Sequence, residues 1–164
     1  MKFWPVVVFH LIGTIQFQSV RGSDNLSNGL GENYEWHTLE EGLSLSKNQG
    51  QPLMLIIHKS WCGACKAFKP KFAASTEALE LSQHFIMVNT MDDDEPQEAK
   101  YSPDGGYIPR ILFLDSDGEV HEEIFNEGGN PKYKFYYYDE QSVIKSMKIA
   151  KNILPHRQSR GDEL

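Results

Sequence analysis

His58-Lys59-Ser60-Trp61-Cys62-Gly63-Ala64-Cys65-Lys66-Ala67-Phe68-Lys69-Pro70 contains both cysteines of this 164-residue chain. Two residues separate them, so one turn of helix brings their sulfurs together. Closing so small a ring removes only roughly 2 kcal/mol of chain entropy, against about 4.7 kcal/mol for a hundred-residue loop. The pair therefore reads as a redox couple rather than a structural staple. Just before it, Pro52-Leu53-Met54-Leu55-Ile56-Ile57-His58 is a continuous apolar run, the pattern of a strand buried on both faces of a mixed sheet.

Forward from Cys62 the pattern is helical to about Leu81, with Cys65, Phe68, Phe72 and Thr76 on one side and Lys66, Lys69 and Lys71 largely elsewhere. Pro70 lies inside that span, where it deletes the bond to the Lys66 carbonyl and predicts a kink. A second strand is expected over 85–89. Thr90 to Tyr107 is polar and predicts a loop with one short helix. Its acid run, Asp92-Asp93-Asp94-Glu95, lacks a calcium-loop ligand pattern and reads as solvated surface. Ile111-Leu112-Phe113-Leu114 is a third strand, and Asp117-Gly118 predicts a hairpin turn into an antiparallel partner over 119–124. After the aromatic stretch Tyr133 to Tyr138, Asp139 can cap a last helix with Val143, Met147, Ala150 and Leu154 inward and Pro155 at its end.

Backward from the apolar run, Leu39 to Lys47 reads as a first helix, with Thr38 and Glu41 spaced as a capping box. Residues 23–34, rich in Asn, Gly and Ser, predict a flexible leader. One domain is expected over 35–155, followed by a flexible tail, 156–164. Strands alternating with helices in this way predict an α/β fold, a three-layer sandwich whose mixed central sheet is flanked by helices.

The formal charge of −7 argues against a nucleic-acid or anionic-membrane binder, which would need a basic face. Met1-Lys2, an apolar run from Phe3 to Ile15 and small residues up to Gly22 predict a removable signal peptide over 1–22. The alternative, a membrane anchor, is disfavoured because His10 and Gly13 interrupt a run already short of the ~20 residues that span a bilayer. Stable membrane insertion is not expected. The chain ends in Asp162-Glu163-Leu164, three positions of an endoplasmic-reticulum retrieval signal. Signal and terminus together predict the reticulum lumen, with the retrieval receptor as a partner, and that lumen is oxidising enough for disulfide exchange. Arg160-Gly161-Asp162 overlaps the tail and is read as coincidental, while Asn25-Leu26-Ser27 fits the glycosylation pattern.

Three further details accompany Trp61-Cys62-Gly63-x-Cys65. Lys66 follows the second cysteine, Pro70 lies five residues after it, and Ile108-Pro109 precedes a strand. The set resembles the thioredoxin superfamily, from about Trp36 to Leu154, with Pro70 as its helix-kinking proline and Pro109 as its cis-proline. Within it, His58 to Lys66, Ser102-Pro103-Asp104-Gly105-Gly106-Tyr107-Ile108-Pro109-Arg110 and the terminal Asp-Glu-Leu resemble the small single-domain reticulum proteins related to the anterior gradient family. The resemblance implies a glutathione-linked protein-disulfide oxidoreductase of the lumen. It needs no cofactor beyond its own Cys62-Cys65 disulfide, and its partners would be secretory clients bearing thiols or disulfides, with glutathione as co-substrate.

Cys62, at the helix N-terminus, is expected to attack, and Cys65, one turn in, to resolve the mixed disulfide. Gly63 permits close approach of a client backbone, Trp61 offers an apolar surface beside the couple, and Pro109, with Ile108 before it, would present neighbouring backbone to an extended client. Two positions depart from the family pattern. Ile56 stands where thioredoxins place a buried proton-relay acid, so resolution is expected to be slow and to use water or another side chain. Ala64 stands where thioredoxins have proline and protein disulfide isomerases histidine, which predicts a reduction potential on the order of −270 to −180 mV. Zinc is a weaker reading, since His58, His84 and His121 supply no second pair at ligand spacing. A client-binding, chaperone-like module is the stronger alternative, with Tyr136-Tyr137-Tyr138 as a client surface or simply packing.

Overall fold

The computed structural model describes residues 25–154 and His156. The signal over 1–22, the start of the leader, Pro155 and the tail carrying Asp162-Glu163-Leu164 lie outside them.

The apolar run forms strand β2 (Leu53–His58), every residue of which is buried. Its alternate side chains divide between two cores. Leu53, Leu55 and Ile57 pack with Ile86, Val88, Leu112 and Leu114, while Met54 and Ile56 pack with Phe68, Phe72, Ile111 and Phe113. Burial of each contributes about 1.5–3 kcal/mol, so the strand that leads into the cysteines is the most firmly held part of the sheet. Around it lie β1 (Trp36–His37), β3 (Ile86–Met91) and β4 (Arg110–Leu114), in the order β1-β3-β2-β4. The first three are parallel and β4 runs antiparallel to β2.

Helix α1 (Leu39–Gln49) covers one face, starting at the expected capping box of Thr38 and Glu41. Gly42 lets it lie close, because a Cβ there would stand 2.3 Å from Val88 Cγ2. Helices α2 (Gly63–Ala73), α3 (Thr76–Ser82) and α4 (Glu140–Ile153) contribute Phe68, Phe72, Ala78, Val143, Met147 and Ala150 to the core of the other face. The architecture is the expected three-layer sandwich with a mixed sheet. Among the described residues no helix is long and apolar enough to cross a membrane.

Local differences from expectation have identifiable causes. Residues 25–34 are not a loose leader. Leu30 is fully buried, the Tyr34 hydroxyl donates to the Phe72 carbonyl at 2.9 Å, and Asn28 Nδ2 donates to Asn89 Oδ1 at 2.8 Å. Trp36–His37 pairs with β3 instead of merely introducing α1. The long helix from Cys62 divides at Ala74, since the Ser75 hydroxyl accepts from the Ala78 amide and starts α3 afresh; Pro70 sits within α2. Between Asp92 and Tyr101 there are two 3-10 turns rather than one short helix. The strand expected over 119–124 is reduced to one bridge, Val120 to Leu114. Asp115 turns inward to accept from the Asp117 and Glu119 amides, and the Ile124 amide bonds to the His121 carbonyl, so the chain curls away after one pairing.

Candidate active site

Strand β2 ends at His58, and Lys59, Ser60 and Trp61 turn the chain into α2, with the Cys62 amide donating to the Lys59 carbonyl at 3.4 Å. Cys62 is the N-cap of that helix. Its sulfur accepts from the Cys65 amide at 3.1 Å, which places it against a free backbone donor and the positive end of the helix dipole. Cys62 is 7% exposed, whereas Cys65, one turn further, is completely buried. Both are free thiols. Burial, and then the hydrogen bond with Cys62, push the Cys65 thiol up to about 12; the Lys59 backbone amide and the charge of Lys69 pull the other way. At neutral pH Cys65 therefore holds its proton until something changes around it.

The Ile108-Pro109 peptide bond is cis, and the Ile108 carbonyl stands 3.9 Å from Cys62 Sγ. The loop ahead of β4 is thus brought to the outer cysteine. Trp61 is 72% exposed beside it, and a Cβ on Gly63 would meet nothing within 4 Å, so the surface next to Cys62 is open to an incoming chain. Lys66 is exposed, Ala64 half-buried, and Ile56 fully buried among apolar side chains with no acid in its place.

Several contributors were not legible as such. Arg110, directly after Pro109, is 1% exposed. It donates through Nε to the Tyr101 carbonyl at 2.8 Å, through Nη1 to the Tyr107 carbonyl at 2.6 Å and through Nη2 to Glu95 at 2.7 Å. The other oxygen of Glu95 meets Lys59 Nζ at 2.5 Å, and Asp92 accepts from the Ser60 amide at 2.8 Å. The acid run is therefore partly turned inward, correcting the solvated reading, and it ties the proline loop to the turn that carries the cysteines. Burial opposes the charge of Glu95, but the hydrogen bonds of Lys59 and Arg110 outweigh it and hold the carboxyl below its ordinary range. A charged residue at the head of the apolar run 111–114 was the available signal, since a buried guanidinium must find partners.

Tyr107 donates to Asp104 and accepts from the Phe135 amide at 3.0 Å, which brings the segment 133–138 alongside. Tyr136 bridges to Arg110 in β fashion and Tyr137 is buried, so this run is packing in part; Tyr133 and Tyr138 remain exposed. His58 lies 1% exposed behind the site, with Nε2 3.2 Å from Asn89 Oδ1 and Nδ1 buried without a hydrogen-bond partner. Burial lowers its pKa to about 4, so it is neutral. His84 is exposed, and His121 lies between Asp115 and Glu123 at the far hairpin. Among the described residues no three His, Cys, Asp or Glu side chains group as a metal site.

A model of thioredoxin-like domains matches residues 35–116. Anterior gradient protein 3 of Xenopus tropicalis is 38% identical over 139 residues, covering 84% of each chain, and its human counterpart is 36% identical over 136 residues, covering 82% of this chain and 81% of its own. Among solved structures, a DsbH oxidoreductase superimposes with a TM-score of 0.53 at 20% identity, over 76% of this chain and 88% of that one. A putative disulphide-isomerase from Bacteroides thetaiotaomicron gives 0.53 at 21%, over 73% and 93%. At those identities the two structures show the fold, and the sequence relatives show the lineage: the chain belongs to the anterior gradient family of thioredoxin-like proteins.

Proposed function

We propose that this protein is a thiol-disulfide oxidoreductase of the endoplasmic reticulum lumen acting on secretory clients, with glutathione as its small-molecule partner. The observation that supports this best is the unequal placement of two free sulfurs: Cys62 at the surface end of α2, accepting the Cys65 amide at 3.1 Å, and Cys65 sealed behind it. Such a pair divides the labour of exchange.

In the reductive direction the Cys62 thiolate attacks a client disulfide. A bond forms between Cys62 and one client sulfur, and the other client sulfur leaves as a thiolate and takes a proton. Cys65 then loses its proton and attacks Cys62, closing the Cys62-Cys65 disulfide and releasing the second client thiol. The client gains two electrons and the couple loses them; run backwards, the same steps oxidise the client. Oxidised glutathione fits the same scheme as a minimal disulfide. The signal-peptide reading of residues 1–22 and the resemblance of Asp162-Glu163-Leu164 to a retrieval motif support the lumenal assignment, with the retrieval receptor as a proposed partner.

A second reading, a chaperone-like client binder with minor redox activity, draws support from the exposed Trp61, Tyr133 and Tyr138 beside the site. The separating experiment traps clients on Cys65→Ala in a secretory extract and compares Cys62→Ser/Cys65→Ser. Reducible adducts on Cys65→Ala support the enzyme. Undiminished non-covalent capture by the double variant, with an empty trap, supports the binder.

A further inference from the structure

We infer that Lys69 supplies the charge that draws Cys65 into its thiolate during resolution, in the place left vacant by the apolar Ile56; this rests on the proposed oxidoreductase reading. Lys69 lies four residues after Cys65 in α2, hence on the same helix face rather than apart from it as its charge suggested, and helical side chains lean toward the N-terminus, so its stem runs back toward the turn that carries Cys65. The stem does not sweep through solvent. Gly29, in the packed segment ahead of β1, lies over it, a Cβ there standing 3.5 Å from Lys69 Cδ. The ammonium ends 3.8 Å from Met91 Sδ, a weak acceptor, and among the described residues Lys69 makes no salt bridge. Among the described residues it is a half-buried cation with no carboxylate at ion-pair distance, Asp92 acting on it from further away.

The charged and titratable groups facing it are Cys65 and Cys62, Lys66 from its own helix, Asp92 after β3, and His58 from β2. Asp92 already accepts the Ser60 amide, and His58 is neutral through the working range. Burial lowers the Lys69 pKa, while Cys65, then Asp92 and then Cys62 act to raise it, so the ammonium favours the Cys65 anion ahead of its other neighbours. While the Cys62-client disulfide exists, Cys62 carries no charge and Cys65 is the sulfur left to benefit. Lys69 is a positioning charge here; the proton of Cys65 departs to solvent or to the leaving client thiolate.

The test uses single-turnover mixing of the reduced full chain with excess oxidised glutathione, quenched by alkylation and read by mass spectrometry. The Cys62-glutathione adduct and the internal disulfide are then counted separately across pH 6 to 9. Lys69→Met and Lys69→Gln, which keep the stem, are expected to resolve the adduct roughly tenfold more slowly, equivalent to about one unit in the Cys65 thiolate equilibrium, and to slow its formation by less than that. The resolution profile should move to higher pH, and Lys69→Arg should restore it. Equal resolution rates and superimposed profiles would overturn the inference and leave the oxidoreductase reading intact. An absence of adduct on Cys65→Ala would overturn both. Slowing in Met, Gln and Arg variants alike, with no shift in profile, would mark a packing role and also overturn the inference.

Discussion

Arg110 Nη2 meets Glu95 Oε1 at 2.7 Å, and the guanidinium behind that contact is 1% exposed while the carboxylate is 18% exposed. Glu95→Ala would leave a buried cation short of one partner and take the ion pair from Lys59, which keeps its bond to the Asp92 carbonyl. Removing one member of a buried pair costs about 3–5 kcal/mol, and the partial exposure of Glu95 sets the expectation at the lower end, about 3 kcal/mol. Urea unfolding of Glu95→Ala and Glu95→Gln checks it. The amide variant, still able to accept a hydrogen bond, should lose less, and equal losses would show that charge rather than bonding matters at this position.

His58 makes stability fall in acid. Its folded pKa of about 4 lies below the ordinary value of 6.5, so the unfolded chain binds this proton first. The contribution is fully present above pH 6.5 and is lost as pH falls toward 4, about 3 kcal/mol in all. Urea melts at pH 7 and pH 4.5 should show a steeper loss in the wild type than in His58→Gln. Parallel losses would remove His58 from the account.

Gly42→Ala is expected to destabilise although alanine is the better helix former. The propensity gain is up to about 1 kcal/mol, whereas a methyl placed 2.3 Å from Val88 forces overpacking worth about 1–3 kcal/mol. The clash wins. Val88→Ala should recover part of the loss, so a double-mutant cycle by thermal melting should show coupling of at least about 0.5 kcal/mol. Strict additivity would mean that α1 relaxes away from the sheet.

Ala64 brings neither ring nor charge to the turn between the cysteines. Equilibration with glutathione buffers should place the couple at roughly −270 to −180 mV. Ala64→His should make it more oxidising and Ala64→Pro more reducing. A wild-type value outside that interval, or substitutions acting in the opposite sense, would show that groups beyond the turn set the poise.

The layered sandwich was legible because its signals are local and periodic. The run from Leu53 to His58, the Thr38 capping box and Asp139 before the last helix each name their element within a few residues. Cys62, Cys65 and the Ile108-Pro109 loop were legible from spacing and resemblance, and the sheet does bring them together. What escaped depends on tertiary contact. Trp36–His37 is too short to show a period, and it becomes a strand only because β3 offers an open edge. Leu30 and Asn28 lie among loop-forming residues, yet Asn89, bonded by Asn28, and Phe72, bonded by Tyr34, give that segment partners 61 and 38 positions away in sequence. Glu95 looks like one of four solvated acids until Arg110 is placed beneath it.

The sheet also has a property that bears on how the protein behaves in a crowded compartment. Its parallel edge, β1, is two residues long, and its antiparallel edge, β4, is engaged at Arg110 by Tyr136 and at Leu114 by Val120. Among the described residues, neither edge strand itself presents a long row of unpaired amides and carbonyls. Exposed strand edges are templates for association with unfolded chains. On the proposed oxidoreductase reading, unfolded clients would therefore meet the cysteine end of the protein, while its strand edges give their backbones little to extend.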